Sequence, residues 1–325
     1  TAIAAEMDER RGSYNNRAGK QEKRVMSLWG ASFLCLLLAV PAVASAQAAE
    51  EFLRTPWGAP DLQGTWDNRT ITPLERPQEF AGKQTLTAEE AAAYEELTAE
   101  RRVNDRYYWD RGTATVTDRR TALIVDPGDG RVPPLTQEGQ HRFEAGRRQG
   151  LNGVNERNPS ERCITRTVPR LPGLYNNHYQ IFQAPGYVVI FMEMIHDARI
   201  VPLDGRPHLM AGTRQWNGDS RGHWEGSTLV VETTNFTDNT NFRGSTSALH
   251  VLERLTRVEA DMIDYEFTVS DSTTWTRPWT ARIPFNRNEG PLYEYACHEG
   301  NDGLAGILEV NRNLERTALL GTANR

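Results

Sequence analysis

The feature that most constrains the fold is a succession of short β-type segments that begins near residue 174. Tyr179–Gln183, Tyr187–His196 and Arg199–Val201 come first, followed by Thr213–Trp216, Thr228–Phe236, Leu249–Val258, Met262–Ser270 and Thr274–Phe285. Turn residues separate them: Asp204-Gly205, Glu225-Gly226, Arg243-Gly244, Glu259-Ala260-Asp261 and Ser270-Asp271. Regularly spaced strands joined by short turns predict an antiparallel meander, closed as a barrel or stacked as a sandwich. With Gly64–Arg69 added there are nine candidate segments, and a small closed barrel of about eight strands that holds one ligand is the expectation.

Upstream the character differs. Residues 73–172 are polar, charged and rich in proline, and read as a helical and irregular insertion. Thr87-Ala88-Glu89-Glu90 is a capping box leading into an alanine-rich helix, and Thr136 caps a second helix over 137–149. One β domain over 47–325 with this insertion fits the shift in composition better than two ordinary domains.

The first residues read as an address. Lys20, Lys23 and Arg24 precede the apolar run Leu28–Val43, which ends in Ala44-Ser45-Ala46, the three parts of a secretory signal peptide. Met26 stands where such a signal begins, so residues 1–25 read as an upstream extension, 26–46 as the signal, and Gln47–Arg325 as the exported chain. The run is short for a membrane span and Pro41 interrupts it, so no stable span is expected after cleavage. With 37 basic against 43 acidic side chains the chain is mildly acidic, which argues against nucleic acid as a partner. Of its three cysteines, Cys35 leaves with the signal. Cys163 and Cys297 remain as a pair, and an oxidising compartment favours a disulfide between them.

Several long strings identify relatives. They are Tyr175-Asn176-Asn177, Glu193-Met194-Ile195-His196-Asp197, Pro202-Leu203-Asp204-Gly205-Arg206-Pro207-His208, Gly218-Asp219-Ser220-Arg221-Gly222-His223-Trp224-Glu225-Gly226 and Tyr293-Glu294-Tyr295-Ala296-Cys297-His298-Glu299-Gly300. In these, residues 174–300 resemble a family of exported bacterial proteins common in soil and environmental genomes. The resemblance implies a periplasmic or extracellular address and brings no reaction with it. Gly64-Thr65-Trp66 on the first strand, with the cysteine pair tying in the C-terminal tail, is similar in architecture to the lipocalin-like (calycin) barrels. An eight-stranded barrel of that kind is the expectation, and a β-sandwich or partly open barrel the alternative.

Chemistry has four candidate seats. On the most apolar segment, alternation puts Met192, Met194 and His196 on one face and Glu193, Asp197 and Arg199 on the other. Facing inward, Arg199 would hold an anion or oxyanion while Glu193 or Asp197 handles a proton. His196 on the apolar face would be a neutral base. On a later strand His250 is positioned to partner a carboxylate across the barrel, Glu232 or Glu266. Tyr187, Trp216, Trp275, Arg277 and Trp279 suit a flat organic or sugar ligand through stacking and cation–π contact, or else pack the core. Finally, Gly218-Asp219-Ser220-Arg221-Gly222 fits G-x-S-x-G, which in a serine hydrolase needs a strand before it and a helix after it.

Other classes lack their marks. There is no H-E-x-x-H, no C-x-x-C and no closely spaced histidine pair, so no metal is expected, His196, His208 and Asp219 being the one loop set that could converge. Neither a Walker lysine motif nor a strand-borne G-x-G-x-x-G is present, so no nucleotide cofactor is expected. These features give an exported enzyme performing cofactor-free acid–base chemistry, hydrolysis, elimination or isomerisation, on a small molecule in a barrel pocket. A binder of an apolar or aromatic ligand is the alternative, and a serine hydrolase using Ser220 a further one.

Overall fold

The computed structural model describes residues 54–103, 112, 114–149, 157–239 and 242–323. The segments read as an upstream extension (1–25) and signal peptide (26–46) lie outside the described residues, as does Cys35.

The alternating segments form one antiparallel sheet of ten strands. In chain order they are β1 (Gly64–Asp67), β2 (Ile124–Asp126), β3 (His178–Ala184), β4 (Tyr187–Met192), β5 (Ala198–Pro202), β6 (Asp219–Glu225), β7 (Thr228–Thr234), β8 (His250–Glu259), β9 (Met262–Ser270) and β10 (Trp279–Arg287). Nine of them follow the path β5-β4-β3-β1-β10-β9-β8-β7-β6, and β2 pairs with β10 off that path. β1 is thus the seam, between β3 and β10, that joins the two meanders. The path curls until its ends meet at Gly222, where a Cβ would lie 2.8 Å from Val201 Cγ1 and 2.7 Å from Leu203 Cδ2. The barrel is nearly closed, and it has nine strands where eight are expected.

The ninth strand is β6. Its sequence, Asp-Ser-Arg-Gly-His-Trp-Glu, holds turn-forming residues at three of seven positions, yet all seven pair with β7 from Asp219↔Thr234 to Glu225↔Thr228. The segment expected beside it, Thr213–Trp216, makes only an isolated bridge, Gln215 to Phe236. The expected strand Tyr187–His196 stops at Met192, because the chain turns over through a short 3-10 segment, Met194–His196. The remaining segments match their expected ranges to within a few residues, and Met262–Ser270 matches at both ends.

Both helices read from caps are present. In α1 (Ala88–Val103) the Glu90 amide donates to Thr87 Oγ1 at 3.2 Å and the Thr87 amide to Glu90 Oε2 at 2.9 Å, a complete capping box. Ahead of α2 (Gln137–Gln149), Thr136 Oγ1 accepts from the Gly139 amide at 3.0 Å. A third helix, α3 (Asp302–Ala323), follows the last strand and is not foreseen from the sequence. The stretch 73–172 holds α1, α2 and β2, so besides helices it contributes a strand to the sheet.

Period-two burial on β8, β9 and β10 fills the barrel. Val251, Leu255, Ile263, Tyr265, Phe267, Val269, Trp279, Ile283 and Phe285 are all buried. Aromatic rings interlock there, Tyr179 on Phe285 and Tyr265 on Phe285 each at 4.7 Å between centroids. No helix among the described residues is long and apolar enough to cross a membrane.

Candidate functional site

The barrel interior carries an ionic core. Arg199 of β5 meets Glu253 of β8 in a two-pronged contact, Nη2 donating to Oε1 at 2.9 Å and Nη1 to Oε2. Tyr265 of β9 donates its hydroxyl to the same Oε1 at 2.7 Å. Burial opposes the charge on Arg199, but Glu253 more than offsets it and holds the guanidinium above its usual range. Burial pushes the Tyr265 phenol well above its ordinary value, and that of Tyr179 up to about 12. Arg170, from the segment that caps this end, reaches the same space. The hollow that remains, lined by Arg170, Tyr179, Arg199, Glu253 and Tyr265 among others, measures about 10 Å³, the room of one water.

This overturns the expected pocket. An organic substrate does not fit a barrel filled by Tyr179, Tyr265, Phe267, Trp279 and Phe285, and Arg199 is committed to Glu253. Trp275 and Trp279 are buried, packed edge to face at 5.9 Å, while Arg277 lies exposed and paired with Asp126. The expected alternation is absent there because the strand begins only at Trp279. Tyr187 sits exposed, its hydroxyl accepting from Arg206 at 3.2 Å, and Trp216 faces the Arg162 guanidinium at 5.7 Å. The five aromatic and cationic candidates for ligand binding therefore do not share a wall.

What the structure does bring together is the mouth of the barrel, at the end where β3 begins and β4 finishes. Three segments meet there: 163–177, the turn Glu193–Asp197, and the tail 293–297. The disulfide Cys163–Cys297, Cα to Cα 5.7 Å, joins the first to the last, as expected from the pair. Glu193 is buried, one carboxylate oxygen accepting from the Tyr293 amide at 2.8 Å and the other from the His178 amide at 3.3 Å. His178 Nδ1 lies 3.0 Å from that second oxygen, and neither ring nitrogen makes an aligned hydrogen bond. His196 is exposed, and its Nδ1 accepts from the Tyr295 amide at 3.3 Å, which leaves Nε2 to carry the ring proton. The expected split of faces does not hold, because the strand ends before Glu193 and both Ile195 and His196 have left-handed backbones, at φ 64° and 54°.

Asp197 is half-buried, 2.7 Å from the Thr165 hydroxyl that donates to it. Burial raises its carboxyl above the ordinary aspartate range, and hydrogen bonds from Thr165 and Asn217 offset part of that rise. Around it the backbone is strained: Cys163, Thr167 and Asn176 join Ile195 and His196 at positive φ. Two of the five are β-branched, for which this region is a true outlier, and such strain collects where the surroundings force it, commonly at functional sites. At the lip Tyr175 stacks on Tyr295, centroids 6.1 Å apart, and Tyr175 and Tyr293 are exposed. Three of the five acid–base candidates, Glu193, His196 and Asp197, gather here, with Arg199 beneath them. The aromatic lip was not read from the sequence, although Tyr175, Tyr293 and Tyr295 lie within strings quoted for the family.

His250 stands elsewhere. It pairs with Glu232, as one expectation had it, at 2.6 Å, but on the outer face of β7 and β8 rather than across the interior. His208 joins this surface array, Nδ1 2.9 Å from Asp219 and Nε2 3.5 Å from Glu232, while Arg221 also holds Asp219. The His250 hydrogen bond draws the Glu232 carboxyl below its usual range. The array fastens the loop after β5 to the barrel wall. His196 takes no part in it, and no group of three or more metal-ligating side chains is arranged to hold an ion among the described residues.

Ser220 lies within β6, buried, its hydroxyl 2.9 Å from that of Thr233 on β7. Both glycines of its motif have structural reasons. Gly218 takes φ +67° with Thr234 O close by, and Gly222 makes room for β5. G-x-S-x-G is here a barrel strand, without the strand–turn–helix context of a nucleophile elbow.

No protein-family model and no curated protein matches the chain. Among solved structures it is similar to a secretary abundant heat soluble (SAHS) protein from Ramazzottius varieornatus. The identity is 10%, over 34% of this chain and 70% of that one, with a TM-score of 0.24.

Proposed function

We propose that this is an exported bacterial protein that takes a small, flat organic molecule at the mouth of its barrel and performs cofactor-free acid–base chemistry on it. The observation that carries the reading is Asp197, a half-buried carboxyl raised by burial beside the strained Ile195–His196 turn and below an aromatic lip. Burial that raises a carboxyl brings it nearer the range useful for proton transfer than an ordinary aspartate. His196, with Nε2 bearing its proton, is suited to donate a hydrogen bond to a substrate oxygen. Tyr175 and Tyr295 supply faces for stacking. Glu193 and Arg199, each engaged by neighbours, act as supports that fix the turn. Elimination and isomerisation fit this set better than serine-dependent hydrolysis, because Ser220 faces Thr233.

A second reading, a binder without turnover, is favoured by one specific fact. Of the expected acid–base residues at the mouth, Glu193 and Arg199 are spent on internal partners, which leaves a short catalytic complement. One experiment separates the two. Protein comprising residues 47–325 is screened against flat aromatic acids and sugars by ligand-observed NMR and by product analysis, beside Asp197→Asn, His196→Ala and Tyr175→Ala. The catalytic reading expects binding and turnover in the parent, binding without turnover in Asp197→Asn, and weakened binding in Tyr175→Ala. Binding with no product in any protein supports the binder. Turnover or binding untouched by all three substitutions removes the mouth as the site.

A further inference from the structure

The insertion holds a cleft of about 340 Å³, within the size range of small-molecule sites. Residues from 76–84 and 128–131 wall it, and none of the mouth residues lines it. Arg76 is the buried side chain of that wall, 8% exposed. Its guanidinium meets only neutral oxygens: Nε donates to the Thr121 hydroxyl at 2.8 Å, and Nη1 to the carbonyls of Gly128 and Asp129 at 3.2 and 2.7 Å. Nη2 makes no hydrogen bond and is not sealed from solvent. Gly130 makes room for this arrangement, since a Cβ there would lie 3.1 Å from Arg76 Cζ. Arg131, exposed on the same wall, makes one long side-chain contact, Nη2 to Gln78 Oε1 at 3.4 Å. Neither guanidinium forms an ion pair among the described residues, although a charge as buried as that of Arg76 is ordinarily paired. The acidic neighbours do not supply the partner. Glu75 pairs with Arg243 at 2.9 Å and accepts from the Val132 amide, and Glu90 pairs with Lys83. Asp129 is the one carboxylate of the wall, one of its oxygens accepting from the Arg131 amide at 3.0 Å. Two guanidiniums against one carboxylate leave the wall with an excess of one positive charge.

We propose that this cleft binds a hydroxylated monocarboxylate of sugar-acid type, its carboxylate held by Arg76 Nη2 and the Arg131 guanidinium. One carboxylate matches the excess charge, and two guanidiniums suit its paired oxygens. A phosphate dianion would overshoot that charge and meet Asp129. Ionised Asp129 only accepts hydrogen bonds, so the ligand has to bring donors besides its carboxylate. Hydroxyls do so, and the amides of Gln78 and Gln84 can donate to them or accept from them. Ala81 is the one apolar side chain among the described residues of the wall, and no aromatic ring lines it. The flat aromatic molecule suited to the mouth therefore finds no stacking surface here.

The test titrates the full chain calorimetrically with sodium glucuronate, glucose, acetate and inorganic phosphate. Saturable binding of glucuronate is expected, with each of the other three weaker by about tenfold or more. Arg131→Gln changes an exposed side chain, so it should keep the parent's thermal midpoint while weakening glucuronate by about tenfold. Asp129→Asn, also at an exposed position, should weaken glucuronate and strengthen phosphate. Tyr175→Ala, at the mouth, should bind glucuronate as the parent does, which separates the two sites. Absence of saturable glucuronate binding overturns the proposal. Glucose, acetate or phosphate bound as tightly as glucuronate does so too, as does a folded Arg131→Gln that binds glucuronate like the parent. A loss confined to Tyr175→Ala would place the sugar acid at the mouth and remove the cleft as its site.

Discussion

Arg199 on β5 and Glu253 on β8 clasp each other inside the barrel, with strands that are not sheet neighbours braced by one ion pair. Such a pair adds little over well-packed apolar residues, but breaking it from one side leaves a buried charge alone. Glu253→Gln should therefore cost about 3–5 kcal/mol. The double change Arg199→Met with Glu253→Leu should recover most of that loss. Urea denaturation of the three proteins checks this. A single variant as stable as the parent would mean that water reaches the pair.

The closure of the barrel depends on Gly222. A methyl there would enter the space of Val201 and Leu203 across the β5–β6 junction, and overpacking of this kind costs about 1–3 kcal/mol. Ser220→Ala, two residues away, loses only the Thr233 hydroxyl contact, worth about 0.5–1.5 kcal/mol. The expected order in denaturation is thus Gly222→Ala well below Ser220→Ala, with any turnover retained in the latter. Loss of turnover in folded Ser220→Ala would restore the serine as a nucleophile.

The same string shows where the sequence stops being legible. Met262–Ser270 reads correctly because its alternation matches what a half-buried strand requires. Asp219–Glu225 is not named among the expected strands, since it lacks their apolar alternation and carries Asp, Ser and Gly at three of its seven positions, and its pairing with β7 makes it a strand. Caps at Thr87 and Thr136 are local chemistry and were readable, whereas α3 was missed. For the site, the residue types of the Glu193–Asp197 string were legible but their directions were not. Alternation fails where Ile195 and His196 turn left-handed, and no local pattern announces that. The Arg199–Glu253 pair joins residues 54 apart, a distance at which sequence pattern carries no pairing information.

The disulfide closes a loop across a separation of 134 residues, much of the barrel. In the chain-entropy picture its loss costs up to about 4–5 kcal/mol. Replacing Cys163 and Cys297 together by serine should lower the denaturation midpoint accordingly. It should also speed amide exchange in 163–177 and 293–301 well before β8, β9 and β10. Uniform acceleration across the sheet would show instead that the bond holds the whole barrel and not its mouth.

Asp197 and Glu232 should tilt the pH dependence of stability in opposite directions. Burial raises the Asp197 carboxyl above the ordinary 3.8, so above that value the folded chain keeps a proton that the unfolded chain has released. Stability from this group accordingly falls as pH rises through the raised value. Glu232 is drawn below its ordinary 4.5, chiefly by the His250 hydrogen bond. Its contribution is present above 4.5 and is lost as pH falls through the lowered value. Denaturation of Asp197→Asn and Glu232→Gln over a pH series on both sides of these values should separate them. Relative to the parent, the first variant gains stability toward neutral pH, and the second loses it. An Asp197→Asn profile parallel to the parent's would mean that the carboxyl titrates as an ordinary surface group, and the proton-handling role assigned to it at the mouth would fail with it.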